Sequence, residues 1–259
     1  MCELLDHPLI CQRYFFPRRG ALARPFIVDC GDAQLACSYH ESDPHAKTLV
    51  HFHGNGEIVD DWTGAFVAAV TQAGCNCFLA EYRGYGGSTG VPQLGKMLGD
   101  VRTTIAALQR PATELIFFGR SVGAIFALEA IKQFPAAAGL ILESAIADVR
   151  ERLLLRVDPA ELGVSGAAFD AVVERQLNHR EKLSGYRGPV LIMHTRNDGL
   201  VDVSHAERLY RWAVGKKTLK IFAHGHHNDI MFVNAAEYVR LLQDFIRSLL
   251  AGGPSAQVD

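Results

Sequence analysis

The chain has 259 residues, 49% of them apolar and 21% charged, which is enough apolar mass for a full core and excludes an intrinsically disordered chain. No run of about eighteen apolar residues occurs, so a membrane-spanning helix is not expected. With 26 Lys and Arg against 28 Asp and Glu the formal charge is −2, which supplies no electrostatic footprint for nucleic acid or an anionic membrane.

In chain order, the opening MCELLDHPLI carries acids and a proline where a secretory signal needs a basic and then an apolar run, so a cytoplasmic location is expected. Six cysteines (Cys2, Cys11, Cys30, Cys37, Cys75 and Cys77) fall in the first third without C-x-x-C spacing and read as reduced thiols, mostly buried. Phe26–Ser38 alternates apolar and polar residues, as in an antiparallel lead-in hairpin. Thr48–His53 is the first buried strand and ends in HGNG. A helix is expected over Asp60–Ala73, capped by Gly74, and a strand over Asn76–Tyr82, closed by RGYGGSTG. A helix over Leu98–Gln109 is ended by Pro111, a strand follows over Glu114–Phe118, and a helix over Val122–Phe134 is stopped by Pro135. Strands are expected again over Gly139–Leu142 with Ser144, Pro189–His194 and Leu219–Ala223, and Ala235–Leu250 is a closing amphipathic helix. The tail GGPSAQVD is expected to fray.

Uninterrupted apolar strands alternating with helices predict an α/β fold: a mostly parallel central sheet with helices on both faces, in one domain spanning 1–259. Ala145–Gly188 breaks the rhythm. It is rich in Arg, Glu and Leu, has no strand pattern, and reads as a small helical insertion, a cap at 145–188.

The strongest chemical signal is Gly119-Arg120-Ser121-Val122-Gly123, which follows the strand ELIFF and opens a helix. A serine in so tight a strand-to-helix turn projects its hydroxyl outward, glycines two residues either side relieve the crowding, and the helix N-terminus aims free N–H groups at a developing oxyanion. Serine is a poor nucleophile without a base that an acid orients. Asp198, in TRNDGL after the strand PVLIMH, is the favoured acid over Asp202, which reads as a surface or capping residue, and over Glu143 at a strand end. For the base, His224, His226 and His227 compete in HGHHND. His224 reads as a packed strand-end residue, and spacing alone does not separate His226 from His227. All lie beyond the C-terminal ends of their strands, where an open α/β sheet binds its ligand. The Asn55 N–H in HGNG, with that of Val122, is the candidate pair of oxyanion donors. His51 and His53 form H-x-H, but no further ligand follows at chelating spacing, so neither a metal nor another cofactor is expected.

The ordered set HGNG, EYRGYGGSTG, GRSVG, HTRNDGLVD and HGHHND resembles the α/β-hydrolase superfamily of serine hydrolases, from about Gln12 to Leu249. It is most similar to a branch of small α/β-hydrolase-domain proteins that includes esterase-like members and animal protein depalmitoylases. The resemblance implies the α/β-hydrolase fold, with Ser121 as nucleophile, Asp198 as acid and His227 as base, since the branch places its catalytic histidine before Asn-Asp, here Asn228-Asp229. It also implies that YRGYG (Tyr82–Gly86) is scaffolding, with Glu81 where Asp is usual. Cys2 and Cys11 are separated and flanked by acids, unlike the lipid-anchored members, and His226 is an additional histidine.

Together these features predict an esterase-like serine hydrolase acting on a small-molecule ester, thioester or acyl substrate through an acyl-serine. The alternatives are a peptidase, amidase or C–C hydrolase with the same three residues, or a non-catalytic binding protein on the scaffold. Leu153–Leu155, Val157, Leu162, Val164, Phe169, Val172 and Val173 either line an acyl site or pack the cap onto the domain.

Overall fold

A computed structural model describes residues 4–251; Cys2 and the tail at 252–259 lie outside the described residues. The lead-in hairpin is present: β1 (Phe26–Asp29) pairs antiparallel with β2 (Gln34–His40), Phe26 facing Cys37. The apolar runs then form β3 (Thr48–Phe52), β4 (Asn76–Ala80), β5 (Leu115–Arg120), β6 (Gly139–Glu143), β7 (Val190–Thr195) and β8 (Lys217–Phe222). The eight strands make one sheet in the order β1-β2-β4-β3-β5-β6-β7-β8. β2 meets β4 antiparallel, and every pairing from β4 to β8 is parallel. This is the α/β-hydrolase architecture that the motif order implied.

Between the strands run α1 (Pro8–Tyr14), α2 (Ala65–Gln72), α3 (Leu94–Ala106), α4 (Gly123–Gln133), α5 (Val149–Leu154), α6 (Gly166–Leu177), α7 (His179–Ser184), α8 (Ser204–Trp212), α9 (Ile230–Val233) and α10 (Ala235–Leu250). Three departures from the sequence reading have local causes. The helix expected over Asp60–Ala73 is a 3₁₀ turn at Val59–Trp62 followed by α2, because Gly64 leaves helical geometry (φ −91°, ψ −112°). α3 starts at Leu94 rather than Leu98, just beyond Pro92, and stops before Gln109, whose φ is +51°. α1 and α8 were not anticipated. α1 is short and starts on a proline, with the His7 ring accepting from Leu9 N–H, while α8 buries only His205, Ala206 and Leu209 of a heavily charged run.

Successive strand side chains alternate between faces, and the core divides accordingly. Val50, Phe78, Phe117, Leu140 and Ile192 join one cluster with α3 and α4; Leu49, Cys77, Phe118, Ile141 and Leu191 join a second with α2 and α10. Cys37, Cys75 and Cys77 are buried and Cys11 and Cys30 half-buried, with no disulfide among the five described cysteines. No helix among the described residues is long and apolar enough to cross a membrane.

The stretch 145–188 sits between β6 and β7 and holds α5, a 3₁₀ turn at Pro159–Leu162, α6 and α7. Leu153, Val157, Leu162, Phe169 and Val173 are buried in the first core cluster, together with Ile125 and Leu128 of α4. Their apolar area is therefore used in packing; Leu154, Val164 and Val172 are half-buried, and Leu155 points outward. Two buried histidines hold the start of this stretch: His179 Nδ1, from α7 within the stretch, lies 2.8 Å from the Ile146 carbonyl, and His205 Nδ1, from α8 outside it, accepts from Ala147 N–H at 3.0 Å. Burial, with the nearby Lys182 and Arg208 charges, pushes His179 down to about 3 and His205 down to about 4. An unfolded histidine takes up its proton near 6.5, so the unfolded chain binds more protons than the folded one below that pH. The stabilising contribution of the two neutral rings is complete above pH 6.5 and is lost as pH falls towards the folded values. The melting temperature of the wild type is expected to drop more steeply between pH 7 and 5 than that of His179→Gln, measured at constant ionic strength; identical slopes would show that His179 is not held neutral.

Candidate active site

β5 delivers Ser121 to the edge of the core, and α4 begins two residues later. Ser121 has φ +52°, a left-handed conformation costly for a non-glycine residue, and is held by its own N–H donating to the Glu143 carbonyl at 2.8 Å. Neither flanking glycine has room for a side chain. A Cβ on Gly119 would lie 2.6 Å from Ala124 Cα, and one on Gly123 would lie 2.0 Å from the Phe52 carbonyl oxygen. The same close approach seats α4 against the end of β3, so the HGNG loop abuts the serine turn.

The structure brings Ser121, His227 and Asp198 together from three distant parts of the chain. His227 Nε2 is 2.8 Å from Ser121 Oγ, and His227 Nδ1 is 2.7 Å from Asp198 Oδ2. Asp198 Oδ1 accepts from Leu200 N–H at 2.9 Å and Val201 N–H at 2.8 Å. Burial alone would raise the Asp198 carboxyl, but the His227 hydrogen bond and charge and the two amides outweigh it and hold it below the ordinary carboxylate range. A second ring, His194, donates from Nε2 to the Val201 carbonyl at 2.8 Å and stands 3.4 Å from Asp198 Oδ2. All three members are buried, Ser121 being 8% exposed. A hydroxyl hydrogen-bonded to an imidazole whose other nitrogen faces a carboxylate is equipped for proton transfer from oxygen to nitrogen.

The rival residues go elsewhere. Asp202 lies just before α8, its carboxylate accepting from Ser204 N–H at 2.9 Å. Glu143 is buried against Arg120 at 3.0 Å and accepts from the Tyr238 hydroxyl. His226 is exposed, with its ring on the Asn197 carbonyl at 2.9 Å. His224 is also exposed, contrary to the packed position its place at a strand end suggested, because β8 already ends at Phe222.

Val122 directly follows Ser121 and Asn55 lies in the loop after β3, and neither backbone N–H has a hydrogen-bond partner among the described residues. The Asn55 side chain is fully engaged: its Oδ1 accepts from Phe16 N–H at 2.9 Å and from the Tyr85 hydroxyl at 2.8 Å, and its amide donates to the Tyr14 carbonyl. The YRGYG turn thus acts on this loop through Tyr85, and also through Tyr82, whose hydroxyl donates to the His53 carbonyl at 2.8 Å. Glu81 is 2.7 Å from His53 Nε2 and accepts from Val59 N–H at 3.0 Å. His51 packs among Trp62, Phe66 and Phe118 on the other face of β3, so the H-x-H pair diverges into unlike surroundings. The part of α1 and its exit in holding Asn55 was not legible in the sequence, since a 39-residue separation carries no local signal.

The family described as serine aminopeptidase, S33, matches residues 43–184, more than half of the chain. The chain belongs to this family, within the α/β-hydrolase superfamily. Among curated relatives, alpha/beta hydrolase domain-containing protein 17B of Homo sapiens is 27% identical over 220 residues, covering 82% of this chain and 71% of the relative. Among solved structures, an esterase of Pyrococcus furiosus superimposes with a TM-score of 0.69 at 16% identity, covering 90% of this chain and 98% of that one. A monoacylglycerol lipase of Paleococcus ferrophilus gives 0.66 at 16%, covering 83% and 99%. At such identities the structural likenesses speak for the fold.

Proposed function

We propose that this α/β-hydrolase cleaves carboxylic ester or thioester bonds of a small or short-acyl substrate through an acyl-serine. The observation that carries the reading is the unbroken relay Asp198–His227–Ser121, with contacts of 2.7 and 2.8 Å. Ser121 Oγ attacks the carbonyl carbon while its proton passes to His227 Nε2. Asp198 keeps the other imidazole proton on Nδ1 and stabilises the imidazolium. The Asn55 and Val122 amides receive the oxyanion. His227 then returns the proton to the departing alcohol or thiol, activates a water, and the acyl group leaves as a carboxylic acid. The chain works as one domain with 145–188 as its cap. Because the apolar residues of that cap are committed to the core, a short acyl group suits the site better than a long one.

The family's description also names an aminopeptidase, and peptide cleavage needs the same three residues. Recognition of a free amino terminus calls for a carboxylate open to the substrate. Here Glu57 is held by Arg120 and by Gly54 N–H, Glu81 by His53, and Glu143 by Arg120 and Tyr238. That commitment favours the ester. A panel of p-nitrophenyl esters from acetate to palmitate, acyl thioesters and aminoacyl anilides tests both points. The expected ranking places short esters or thioesters first by kcat/KM, and faster turnover of the anilides would overturn the ester assignment.

A further inference from the structure

The residue before the serine, Arg120, is a large cation with 4% of its surface exposed, and no step above uses it. Its guanidinium touches four parts of the chain. Nη2 donates to the His227 carbonyl at 2.9 Å, Nε lies 3.0 Å from Glu143 Oε1 at the end of β6, Nη1 pairs with Glu57 Oε1, and the plane sits 5.9 Å from the Trp62 ring. Glu57 in turn accepts from Gly54 N–H at 2.7 Å and from the Trp62 indole at 3.2 Å. Gly54 leaves room for this arrangement, since a Cβ there would lie 2.5 Å from Arg120 Nη1.

One planar fork therefore holds, at the same time, the loop that carries the imidazole and the loop that carries the Asn55 amide, while its own backbone is bonded to Ser121. We propose that Arg120 is a positioning residue for the acyl transfer: it sets the distance between His227 and the Asn55 amide across the serine turn, and it draws Glu143 away so that Asp198 alone faces the imidazole. This inference rests on the serine-hydrolase reading above. A lysine supplies the charge but not the three-way fork, so it cannot hold the His227 carbonyl and two carboxylates together. A displacement of about 1 Å in such a site costs on the order of 100-fold in rate.

The test compares wild type, Ser121→Ala, Arg120→Lys and Glu57→Gln on a p-nitrophenyl ester, with proton NMR of the imidazole Nδ1–H that faces Asp198. In Arg120→Lys, kcat is expected to fall by about 10- to 100-fold with KM within about threefold, and the low-field Nδ1–H signal to shift or broaden while the far-ultraviolet circular dichroism is retained. Glu57→Gln, at a partly exposed partner, is expected to lower kcat several-fold at unchanged KM, and it decides the matter alone where the lysine variant does not fold. Unchanged kcat and an unchanged low-field signal overturn the positioning role while leaving the hydrolase reading intact. Full activity in Ser121→Ala overturns the hydrolase reading instead, and there the low-field signal still reports whether Arg120 holds His227.

Discussion

Replacing Ser121 with Ala is expected to lower kcat for ester hydrolysis by on the order of 10⁴-fold or more, with little change in fold. Among the described residues the hydroxyl's side-chain hydrogen bond is with His227 Nε2, so its removal takes away the proposed nucleophile and leaves the Asp198–His227 pair in place. The strained backbone at φ +52° is equally accessible to Ala and Ser, so the turn should persist. On the proposed mechanism, the residual rate would come from the Asn55 and Val122 amides. Ser144 is the natural control. It too has a positive φ, +45°, and lies at the end of a strand, but it is fully buried, and its hydroxyl has no hydrogen-bond partner among the described residues. Ser144→Ala should hydrolyse ester at a rate within a few-fold of the wild type. A fluorophosphonate probe should label the wild type and the Ser144 variant and leave Ser121→Ala unlabelled. The assignment is wrong if the Ser121 variant keeps a tenth or more of the activity.

How much of this site was legible in the sequence follows from the range of each signal. The serine turn was readable because its constraint is local: two glycines at fixed offsets, each facing backbone at less than 3 Å. Asp198 and the histidine cluster were readable as loop positions, because the chain must leave a parallel strand at its C-terminal end. Which histidine faces the serine was not, since adjacent side chains diverge and the choice depends on how the loop after β8 lands. The structure places His227 inward and His226 on the Asn197 carbonyl. The apolar residues of 145–188 are legible in the sequence, but whether they face a ligand or α4 is decided by tertiary packing. Arg120 and the α1 contacts on Asn55 were out of reach for the same reason. The His227 carbonyl lies 107 residues from Arg120 and the Tyr14 carbonyl 41 from Asn55, and an arginine or asparagine in a motif gives no hint of which carbonyl or amide it will find.

Asp198→Asn carries the second large effect, a loss of about 10⁴-fold in kcat near neutral pH. The carboxylate has two duties on separate oxygens. Oδ1 accepts from Leu200 and Val201 N–H and so pins the side chain, while Oδ2 accepts from His227 Nδ1–H. An asparagine that keeps its oxygen on the two amides must turn its NH₂ towards Nδ1. The imidazole then carries its proton on Nε2 and cannot accept the one from Ser121. Turned the other way, the NH₂ would face two backbone N–H groups, which costs more than the single mismatch. The two rival acids are committed elsewhere: Glu143 is occupied by Arg120 and Tyr238, and Asp202 by the Ser204 N–H. The loss should therefore appear in kcat, while KM and the overall fold, followed by circular dichroism, change little. A variant that retained more than about a tenth of wild-type kcat would mean that a different carboxylate orients His227, and the relay described here would need to be redrawn around it.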